Sequence, residues 1–426
     1  MTTRSSRRSF LKKGTLGAVA GAALASRFDG LAHAMERTPQ SSSPSQLRIT
    51  NVRGGLIRRE HSLFVKIETN QGITGHGQAV DGVYGAYYVM RHLAERHLIG
   101  QNPLDVHRLQ EEMRRGGLFK GGQAGMYVCV MSALETALWD LVGKAFGLPV
   151  YQLLGGKFRD EIRVYCDTAG SRLEPAEMGR QAKEDVEKYG FTAVKFDIDD
   201  AQDPRKLDRY NWSVSIPELE RMVAQIAAVR DAVGRHIDIC VDCHGRFDEQ
   251  AGHKIAKAME PFNLMWLEEP VPAEFPEAYA RIRQETTTPI CGGENWYLTY
   301  GFRHPLEIGA CDVVMPDLQK AGGLGEGQRI ANLANTYNVP FAPHMVASYL
   351  GAVSSAHVCA SVPNFLILEW QIYFHNNPMY QEIVTWDGPM LTDDGHIPVP
   401  GVPGIGVEID EDAMRKYAAK DVPFFE

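Results

Sequence analysis

The sequence predicts a (β/α)8 TIM barrel that carries a smaller α+β capping domain, and three observations predict this fold class. From residue 163 onward, short apolar runs alternate with helical segments, as parallel strands alternate with helices in a barrel. Eight such runs occur over roughly 230 residues, which is close to the length of a barrel domain. Polar residues suited to catalysis fall at the carboxyl ends of these runs, where a barrel gathers its functional groups.

Residues 1–34 are predicted to be an export signal and not part of the fold. A twin-arginine pattern, Ser6-Arg7-Arg8-Ser9-Phe10-Leu11-Lys12, precedes an apolar stretch at 14–25 and a small-residue cleavage site, Ala32-His33-Ala34. We therefore expect a protein exported by the twin-arginine (Tat) route, to the periplasm or beyond. The alternative is a basic disordered tail. Residues 35–46 are rich in serine and proline and are predicted to be a linker.

Residues 47–162 are predicted to form the capping domain. Alternating apolar residues indicate strands at 47–52 and 63–68, and the turn at 71–75 leads to a third strand. Helical periodicity follows at about 86–98, 103–114 and 128–146. Strands followed by helices are typical of an α+β domain.

Residues 163–394 are predicted to form the barrel. Its eight candidate strands are residues 164–168, 193–197, 237–244, 264–268, 290–293, 313–316, 341–344 and 365–370. The segments 216–233 and 325–338 between them have clear helical periodicity. An open doubly wound sheet is the alternative, but no glycine fingerprint for a dinucleotide opens any unit.

The composition of the chain argues against a nucleic-acid partner and against a membrane span. The formal net charge is -9 and there is no basic cluster, which argues against nucleic acid. No apolar stretch near 20 residues lies outside the first 34, so we expect no membrane span in the mature chain. The only Cys-x-x-Cys is Cys240 with Cys243, and on a strand these sulfurs point to opposite faces. All seven cysteines are therefore predicted to be mainly buried thiols.

The polar residues at the strand ends recur at nearly constant spacing. Steps of 26, 26, 23, 27 and 25 residues separate, in order, Asp242, Glu268, Glu294, Asp317, His344 and Glu369. Each step is close to one βα unit, whereas solvated charges on helices would show no such register. The second run ends in Lys195 and Asp197, and His244 follows Asp242 on the same face.

Three carboxylates on adjacent strands predict a metal site. Asp242, Glu268 and Glu294 offer hard oxygen ligands, which suit Mg²⁺, whereas zinc would favour more histidine or cysteine. Any one of these acids could instead be a surface or ion-paired residue. Their common register at the strand ends favours the metal site.

The remaining polar residues predict proton transfer. His344 and Asp317 would stand on adjacent strands, and a carboxylate beside a histidine fixes its tautomer and raises its basicity. His344 is thus a candidate general base, or else a hydrogen-bonded core histidine. His244 could donate a proton to a leaving hydroxyl, or only orient other groups. Lys195 could neutralise a substrate carboxylate, or pair only with Asp197 or a metal ligand.

Five segments together resemble the enolase superfamily, specifically its mandelate racemase subgroup. They are Val241-Asp242-Cys243-His244-Gly245-Arg246, Trp266-Leu267-Glu268-Glu269-Pro270, Gly292-Gly293-Glu294-Asn295, residues 315–323 (MPDLQKAGG) and Pro343-His344-Met345. The resemblance runs from Leu47 to the end of the chain. It implies Mg²⁺ as cofactor and a capping domain completed by the C-terminal tail, residues 395–426.

Within this family the residues point to a sugar acid dehydratase. Asp317 stands where the muconate-lactonising and dipeptide-epimerase branches carry a lysine, and Lys195-Phe196-Asp197 lacks the second lysine of mandelate racemase. A histidine two residues after the first metal ligand resembles the galactonate and mannonate dehydratases. The resemblance implies that an aldonate or aldarate loses its α-proton to His344, forming an enediolate, and its β-hydroxyl with help from His244. Glu369 is then expected to be a protonated donor with a raised pKa.

The sequence also predicts a class of substrate and an oligomeric state, and it leaves alternative functions open. A small-molecule carboxylate is the expected partner, contacted by Lys195, Asp197, Arg246, Trp296 and Tyr373. A homo-oligomer is also expected, and the polar insertion at 199–215 is a candidate lid or oligomer contact. The alternatives are a racemase, epimerase or cycloisomerase, and a non-catalytic periplasmic binding protein. A metal hydrolase would want a His-x-His pair on the first barrel strand, which residues 164–168 lack.

Overall fold

The computed structural model describes residues 46–57, 62–81, 84–168, 170–206 and 208–426. The predicted export signal, and all of the predicted linker except Gln46, lie outside the described residues.

The N-terminal domain consists of a three-stranded antiparallel sheet covered by helices. Its strands are β1 (Ile49–Ile57), β2 (Ser62–Thr69) and β3 (Thr74–Ala79), paired in the order β1-β2-β3. The helices are α1 (Gly85–Leu93), which continues as one π-helical turn at Ala94–Leu98, then α2 (Val106–Gly116), α3 (Met126–Phe146) and α4 (Val150–Leu153). These elements agree with the predicted α+β domain.

The long helix α3 packs directly on β3. A Cβ atom added at Gly75 or Gly77 would lie 2.0 Å from the carbonyl oxygen of Ala137 or Ala133, so only glycine permits this approach. Contrary to the expectation that no such apolar stretch lies beyond residue 34, α3 is long and apolar enough to cross a membrane, but 89 % of its most apolar part is buried inside the protein. It is therefore the core helix of this domain.

The barrel follows as parallel strands with helices between them. The strands are β4 (Glu161–Asp167), β5 (Ala193–Asp197), β6 (Asp238–Asp242), β7 (Trp266–Glu268), β8 (Ile290–Gly292), β9 (Val313–Val314) and β10 (Leu368–Gln371). The helices are α5 (Pro175–Tyr189), α6 (Ile216–Val233), α7 (Glu249–Met259), α8 (Pro276–Glu285), α9 (Leu298–Glu307), α10 (Leu324–Thr336) and α11 (Tyr349–Ser361). A 3-10 turn at Glu260–Phe262 follows α7.

The seventh predicted strand is present only as isolated bridges. Phe341 pairs with Val314 on one side and with Phe365 on the other, and His344 pairs with Asp317. The ring then closes because β10 pairs in parallel with β4. The open-sheet alternative is thus excluded, and the predicted TIM barrel is confirmed.

The barrel interior is filled by a separate apolar cluster. All eight strand positions contribute to it, through Tyr165, Ala193, Cys240, Trp266, Cys291, Val313, Met315, Ala342 and Ile367. Cys243 lies instead in the core outside this ring, so the two cysteines of the Cys-x-x-Cys face opposite sides, as predicted. All seven cysteines are free and buried, which is also as predicted.

The C-terminal segment joins the barrel to the capping domain. It contains α12 (Ile372–Asn376), α13 (Pro378–Glu382), β11 (Val384–Trp386), β12 (His396–Pro398), β13 (Val407–Ile409) and α14 (Glu411–Arg415). First, β12 pairs antiparallel with β4 of the barrel. Farther on, the backbone N–H groups of Ala419 and Phe425 donate to Leu56 and Gly54 of β1. The tail therefore reaches the capping sheet, as expected.

Candidate active site

The predicted functional residues form a layer directly above the apolar barrel interior. Lys195, Asp242, Glu268, Asp317, His344 and Glu369 each follow an interior residue by two positions, and residues two apart on a strand share a face. Glu294 follows interior Cys291 by three positions. Gly293 makes this possible because its φ of 138° lies in a region that favours glycine. The strand sequence thus aims all seven side chains into the barrel mouth.

Lys195 lies at the centre of this layer. Its Nζ atom is 2.9 Å from Glu369 Oε1, 3.3 Å from Asp242 Oδ2 and 3.6 Å from Glu268 Oε1. Burial alone would lower the pKa of Lys195, but the surrounding carboxylates hold it well above its usual value. Lys195 is therefore a fixed positive charge. It contacts two of the predicted metal ligands.

His344 and Asp317 form the predicted pair. His344 Nδ1 is 2.8 Å from Asp317 Oδ2, and both side chains are buried. The other ring nitrogen, Nε2, is 2.8 Å from Glu294 Oε2 and 3.7 Å from Glu369 Oε2. Burial opposes protonation, yet these carboxylates raise the pKa of His344 well above its usual value. The Nε2 atom thus faces the carboxylate cluster across the mouth.

Glu369 differs from the prediction. Burial alone would raise its pKa, but Lys195 and His344 outweigh burial and lower the pKa of Glu369 to about 2. Its oxygens accept from Lys195 Nζ and from the backbone N–H of Met345, at 2.9 Å in both cases. The expectation of a protonated Glu369 donor is therefore wrong for this arrangement. The sequence analysis did not place Lys195, the cation that lowers this pKa, beside Glu369.

The predicted metal ligands gather around Lys195 and His344, and their chemistry fits Mg²⁺. Glu268 is fully buried, and its Oε1 atom accepts no hydrogen bond from the described residues. Burial and the neighbouring Asp242 raise the pKa of Glu268 well above its usual value. A buried carboxylate oxygen without a donor, close to other carboxylates, is suited to a divalent cation.

A second set of possible ligands overlaps the predicted one. Asp197, Asp242 and His244 each offer one ligand atom, and these three atoms all lie within 4.8 Å of one another. Burial and Asp242 raise the pKa of Asp197 to about 6. This set contains a histidine and one exposed member, and it shares only Asp242 with the predicted ligands Asp242, Glu268 and Glu294.

His244 is held by two aspartates in a strained backbone conformation. Its φ is 47°, and its backbone N–H donates to Asp242 Oδ1 at 2.7 Å. Its ring Nδ1 lies 2.9 Å from Asp199 Oδ1, and Nε2 lies 3.6 Å from Asp242 Oδ2. Asp242 and Asp199 raise the pKa of His244 to about 11. These two carboxylates therefore favour the protonated ring, which is the form that an acid for a leaving hydroxyl needs.

A cavity of about 540 Å³ opens between the barrel mouth and the capping domain. His244, Glu269, Asn295 and Tyr297 line its barrel side, and Gly125 lines its capping side. Glu269 is buried and has a φ of 38°. Burial and the neighbouring Glu294 raise the pKa of Glu269 to about 8. The cavity adjoins the carboxylate layer and is large enough for a small acid.

Several residues of this region were missed at the sequence level. Asn295 Nδ2 donates to Glu269 Oε2 at 2.9 Å and to Glu294 Oε1 at 2.8 Å. Buried Lys320 donates to Asn295 Oδ1 at 3.3 Å and contacts Asp81 Oδ2 of the capping domain at 2.8 Å. Glu269 and Asn295 directly follow predicted ligands, so their position next to Glu268 and Glu294 was the available signal.

Three of the predicted substrate-contacting residues, Trp296, Tyr373 and Arg246, make other contacts in the structure. Trp296 is a core residue: it is 6 % exposed, packs against Tyr279 and Phe302, and donates its Nε1 hydrogen to Ala273 O. Its assignment to substrate binding is wrong, because the ring is enclosed by apolar neighbours. Tyr373 is half exposed on α12, and its hydroxyl meets Asn377 and no residue of the carboxylate layer. Arg246 Nη1 binds Asp199 Oδ2 at 2.8 Å.

The capped barrel, the buried carboxylates, the lysine and the carboxylate-paired histidine at its mouth are the features of the enzyme class that the sequence resembles. Comparison with protein families agrees with this class. Residues 34–155 match the mandelate racemase / muconate lactonizing enzyme N-terminal domain, and residues 177–413 match the enolase C-terminal domain-like family. The chain belongs to the enolase superfamily, in its mandelate racemase and muconate lactonizing enzyme group.

Two relatives are informative about reaction type. The chain is 35 % identical over 405 residues to a D-xylonate dehydratase from Haloferax volcanii, covering 92 % of this chain and 97 % of the relative. It is 33 % identical over 358 residues to a D-galactonate dehydratase from Xanthomonas oryzae, covering 83 % and 90 %. The prediction that the chain is an enzyme of the carbon–oxygen lyase class is confirmed.

Solved structures share the whole fold. A mandelate racemase/muconate lactonizing enzyme-like protein from Rubrobacter xylanophilus is 42 % identical, with a TM-score of 0.83, over 89 % of this chain and 99 % of that one. The 3,6-anhydro-D-galactonate cycloisomerase from Zobellia galactanivorans is 28 % identical, with a TM-score of 0.77, over 88 % and 100 %. The same fold therefore serves both elimination and cycloisomerisation.

Proposed function

We propose that the protein is a Mg²⁺-dependent sugar acid dehydratase that converts an aldonate or aldarate to a 2-keto-3-deoxy acid. The observation that carries the proposal is the mouth of the barrel. There the His344–Asp317 pair and His244 both adjoin one group of carboxylates, Asp242 and Glu294 among them. Both relatives quoted above are named as dehydratases of sugar acids, which supports this choice of reaction.

Mg²⁺ would be held by Asp242, Glu268 and Glu294. Bound there, it would supply positive charge beside the substrate carboxylate and so stabilise the negative charge that develops when the α-proton leaves. Glu294 would turn an oxygen away from His344 Nε2 to serve as ligand. As a ligand, Glu294 would no longer favour a proton on Nε2, so His344 could lose that proton and act as the base, while Asp317 would keep the ring in the tautomer that this step requires.

The chain's own residues account for each proton. His344 removes the proton from the α-carbon, and the electrons of the broken C–H bond move onto the substrate carboxylate, which gives an enediolate. These electrons then return to form a double bond between the α- and β-carbons as the β C–O bond breaks. His244 donates a proton to the departing hydroxyl, which leaves as water. The enol then tautomerises to the keto acid. Lys195 stabilises the added charge on the substrate carboxylate.

A substrate panel tests the proposal. Aldonates and aldarates, beginning with D-xylonate and D-galactonate, are incubated with the protein and Mg²⁺, and 2-keto-3-deoxy products are detected with semicarbazide. At least one acid is expected to react. The proposal fails if no acid of the panel reacts while the folded protein binds Mg²⁺.

The variant H344N tests the role of the base. Replacing His344 removes the proton acceptor, so we expect kcat to fall by at least ~10²–10⁴-fold while substrate still binds. The matched control is H304N, because His304 lies on the surface, where it contacts Glu277. Equal activity of H344N and the wild type would exclude His344 as the base.

A second reaction has one specific observation in its favour, namely the likeness to a cycloisomerase. A racemase, epimerase or cycloisomerase would use the same proton abstraction but would retain all oxygen atoms of the substrate. Reactions in D₂O separate the two. Deuterium at the α-carbon of a recovered or isomeric acid, with no keto acid formed, would favour isomerisation over dehydration.

We also propose export through the twin-arginine route. The support is the sequence pattern of residues 1–34, in particular Arg7 and Arg8. Fusing residues 1–34 to a folded reporter should move the reporter out of the cytoplasm. Replacing both arginines by lysine should retain it there, and export unaffected by that change would contradict the proposal.

A further inference from the structure

We propose that Asp199 is a positioning residue that holds the His244 ring in the orientation needed to protonate the leaving hydroxyl. This inference rests on the proposed function and deepens it. Asp199 lies two residues beyond the end of β5, and none of the sequence motifs described above includes it.

The contact between the two side chains is direct and enclosed. Asp199 Oδ1 lies 2.9 Å from His244 Nδ1, and the Asp199 side chain is only 3 % exposed. An aspartate can only accept at this nitrogen, so it selects the ring form with a hydrogen on Nδ1. The other nitrogen, Nε2, is then directed toward Asp242 Oδ2, 3.6 Å away.

Asp199 is itself fixed by its neighbours. Its second oxygen, Oδ2, forms an ion pair with Arg246 Nη1 at 2.8 Å. The preceding residue, Ile198, donates its backbone N–H to Asp242 O at 3.0 Å, which anchors this part of the loop to β6. The carboxylate therefore has little freedom to leave the histidine.

The need for such a partner follows from the backbone of His244. Its φ of 47° is uncommon for a residue other than glycine, and Gly245 also has a positive φ, of 63°. His244 thus lies on a turn beyond the strand end, and its side chain is 36 % exposed toward the cavity. The ring has open space on the cavity side, so the contact of Nδ1 with Asp199 restricts its orientation.

This role changes the interpretation of Arg246. The sequence suggested a substrate contact, but the guanidinium pairs with the same aspartate that holds His244. Asp199, His244 and Arg246 form one connected unit at the edge of the cavity. The insertion that begins at Asp199 is tied to this unit, since Asp248 donates its backbone N–H to Trp212 O at 2.8 Å.

The experiment measures two reactions of the same enzyme. In D₂O, abstraction by His344 is followed as deuterium entering the α-carbon of recovered substrate, and elimination is followed as keto acid. For D199A we expect elimination to fall by about 10²-fold, because the acid is misplaced, while abstraction continues. The ratio of deuterium uptake to keto acid should rise at least about 10-fold, as it should in H244N.

Two further variants complete the design. D199N retains an oxygen that can accept from Nδ1, so it should keep more elimination than D199A. D203N is the matched control, because Asp203 is a buried aspartate of the same insertion that binds Arg205 and Arg221 instead of a histidine. The ratio in D203N should equal that of the wild type. An unchanged ratio in D199A, whether or not both rates fall together, would overturn the proposal.

A crystal structure of D199A separates this inference from the proposed function. The His244 ring is expected to leave the position it has beside Asp199, and a ring that stays in place would overturn the positioning role. If the wild type forms no keto acid from any substrate, the dehydratase proposal fails, while the ring position in D199A still decides the role of Asp199.

Discussion

At the scale of single residues, the proposed proton transfers depend on which ring nitrogen of His344 and of His244 faces the barrel mouth. Asp317 accepts from His344 Nδ1 and also from the backbone N–H of Gln319, at 2.7 Å, so it is held rigidly. A rigid acceptor at Nδ1 keeps Nε2 as the atom that exchanges protons. The same arrangement recurs at His244 with Asp199.

The variant D317N tests this arrangement at His344. Its amide can present a hydrogen to Nδ1 and so favour the wrong tautomer, and we expect kcat to fall about 10²–10⁴-fold with little change in KM. Steady-state kinetics on the substrate found in the panel measure both constants. A large rise in KM with kcat unchanged would instead mean that Asp317 serves substrate binding.

A second histidine gives a prediction for stability. His357 is buried on α11; its Nδ1 accepts from the backbone N–H of Tyr151, and its Nε2 faces Ile405 O at 3.0 Å. The hydrogen bond that Nδ1 accepts requires a neutral ring, and burial lowers the pKa of His357 to about 4 from an ordinary 6.5. A lowered pKa stabilises the folded state at high pH, and this contribution is lost as the pH falls from 6.5 to 4.

The size of this effect can be measured. The loss over that range is about 3 kcal/mol, since one pKa unit corresponds to about 1.4 kcal/mol. Urea unfolding at several pH values should show a steeper loss of stability for the wild type than for H357Q between pH 6.5 and 4. Parallel curves for the two proteins would show that His357 does not take up a proton on unfolding.

The sequence predicted the residues of the site better than their interactions. The positions of Lys195, Asp242, Glu268, His344 and Glu369 followed from strand ends, because alternation and βα spacing are visible in a sequence. The charge state of Glu369 was predicted wrongly, since it depends on how close Lys195 lies. Trp296 was misassigned because an aromatic residue after a strand has the same pattern whether it packs inward or faces a ligand.

At the scale of elements, the barrel strands were predictable from their apolar runs, and their exact extent was not. The run at 341–344 forms only isolated bridges, at Phe341 and His344, and no continuous strand. The insertion after β5 contains Asp199, which no periodicity distinguishes from other polar loop residues. Contacts between a loop and the next strand depend on the fold and not on local sequence.

The packing of α3 on β3 yields a prediction at this scale. In G77A the new methyl group would lie 2.0 Å from Ala133 O, so strand and helix must move apart. We expect a loss of about 1–3 kcal/mol in the free energy of unfolding, the usual range for overpacking. G401A is the control, because no atom lies within 4 Å of the added carbon. Equal stability of the two variants would contradict the close packing.

At the scale of the whole molecule, the capping domain and barrel are joined by polar contacts close to the site. Glu135 of α3 accepts from the backbone N–H groups of Leu324 and Gly325, at 2.7 and 2.9 Å, and so caps the barrel helix α10. Lys320, a few residues earlier, joins Asp81 of the capping domain to Asn295. Polar contacts therefore connect the capping domain to Asn295, the residue next to Glu294.

Metal binding should stabilise the whole protein. A cation that binds only the folded state adds about 2.7 kcal/mol at a concentration 100 times its Kd, so Mg²⁺ should raise Tm by a few degrees and EDTA should reverse the change. In E268Q the increase should be lost or much reduced. The matched control is E260Q, because Glu260 is a glutamate away from the site that contacts Lys257 and Thr286. An equal increase in E268Q and the wild type would exclude Glu268 as a ligand.

The proposed metal site is tested most directly by the position of a divalent cation in a crystal of this protein. Mn²⁺, which also favours oxygen ligands, can be located by its anomalous scattering after soaking. We predict one strong peak within coordination distance of carboxylate oxygens from Asp242, Glu268 and Glu294, with His344 facing it across the barrel mouth. A peak held instead by Asp197, Asp242 and His244 would contradict the account, because His244 could not then protonate a leaving hydroxyl.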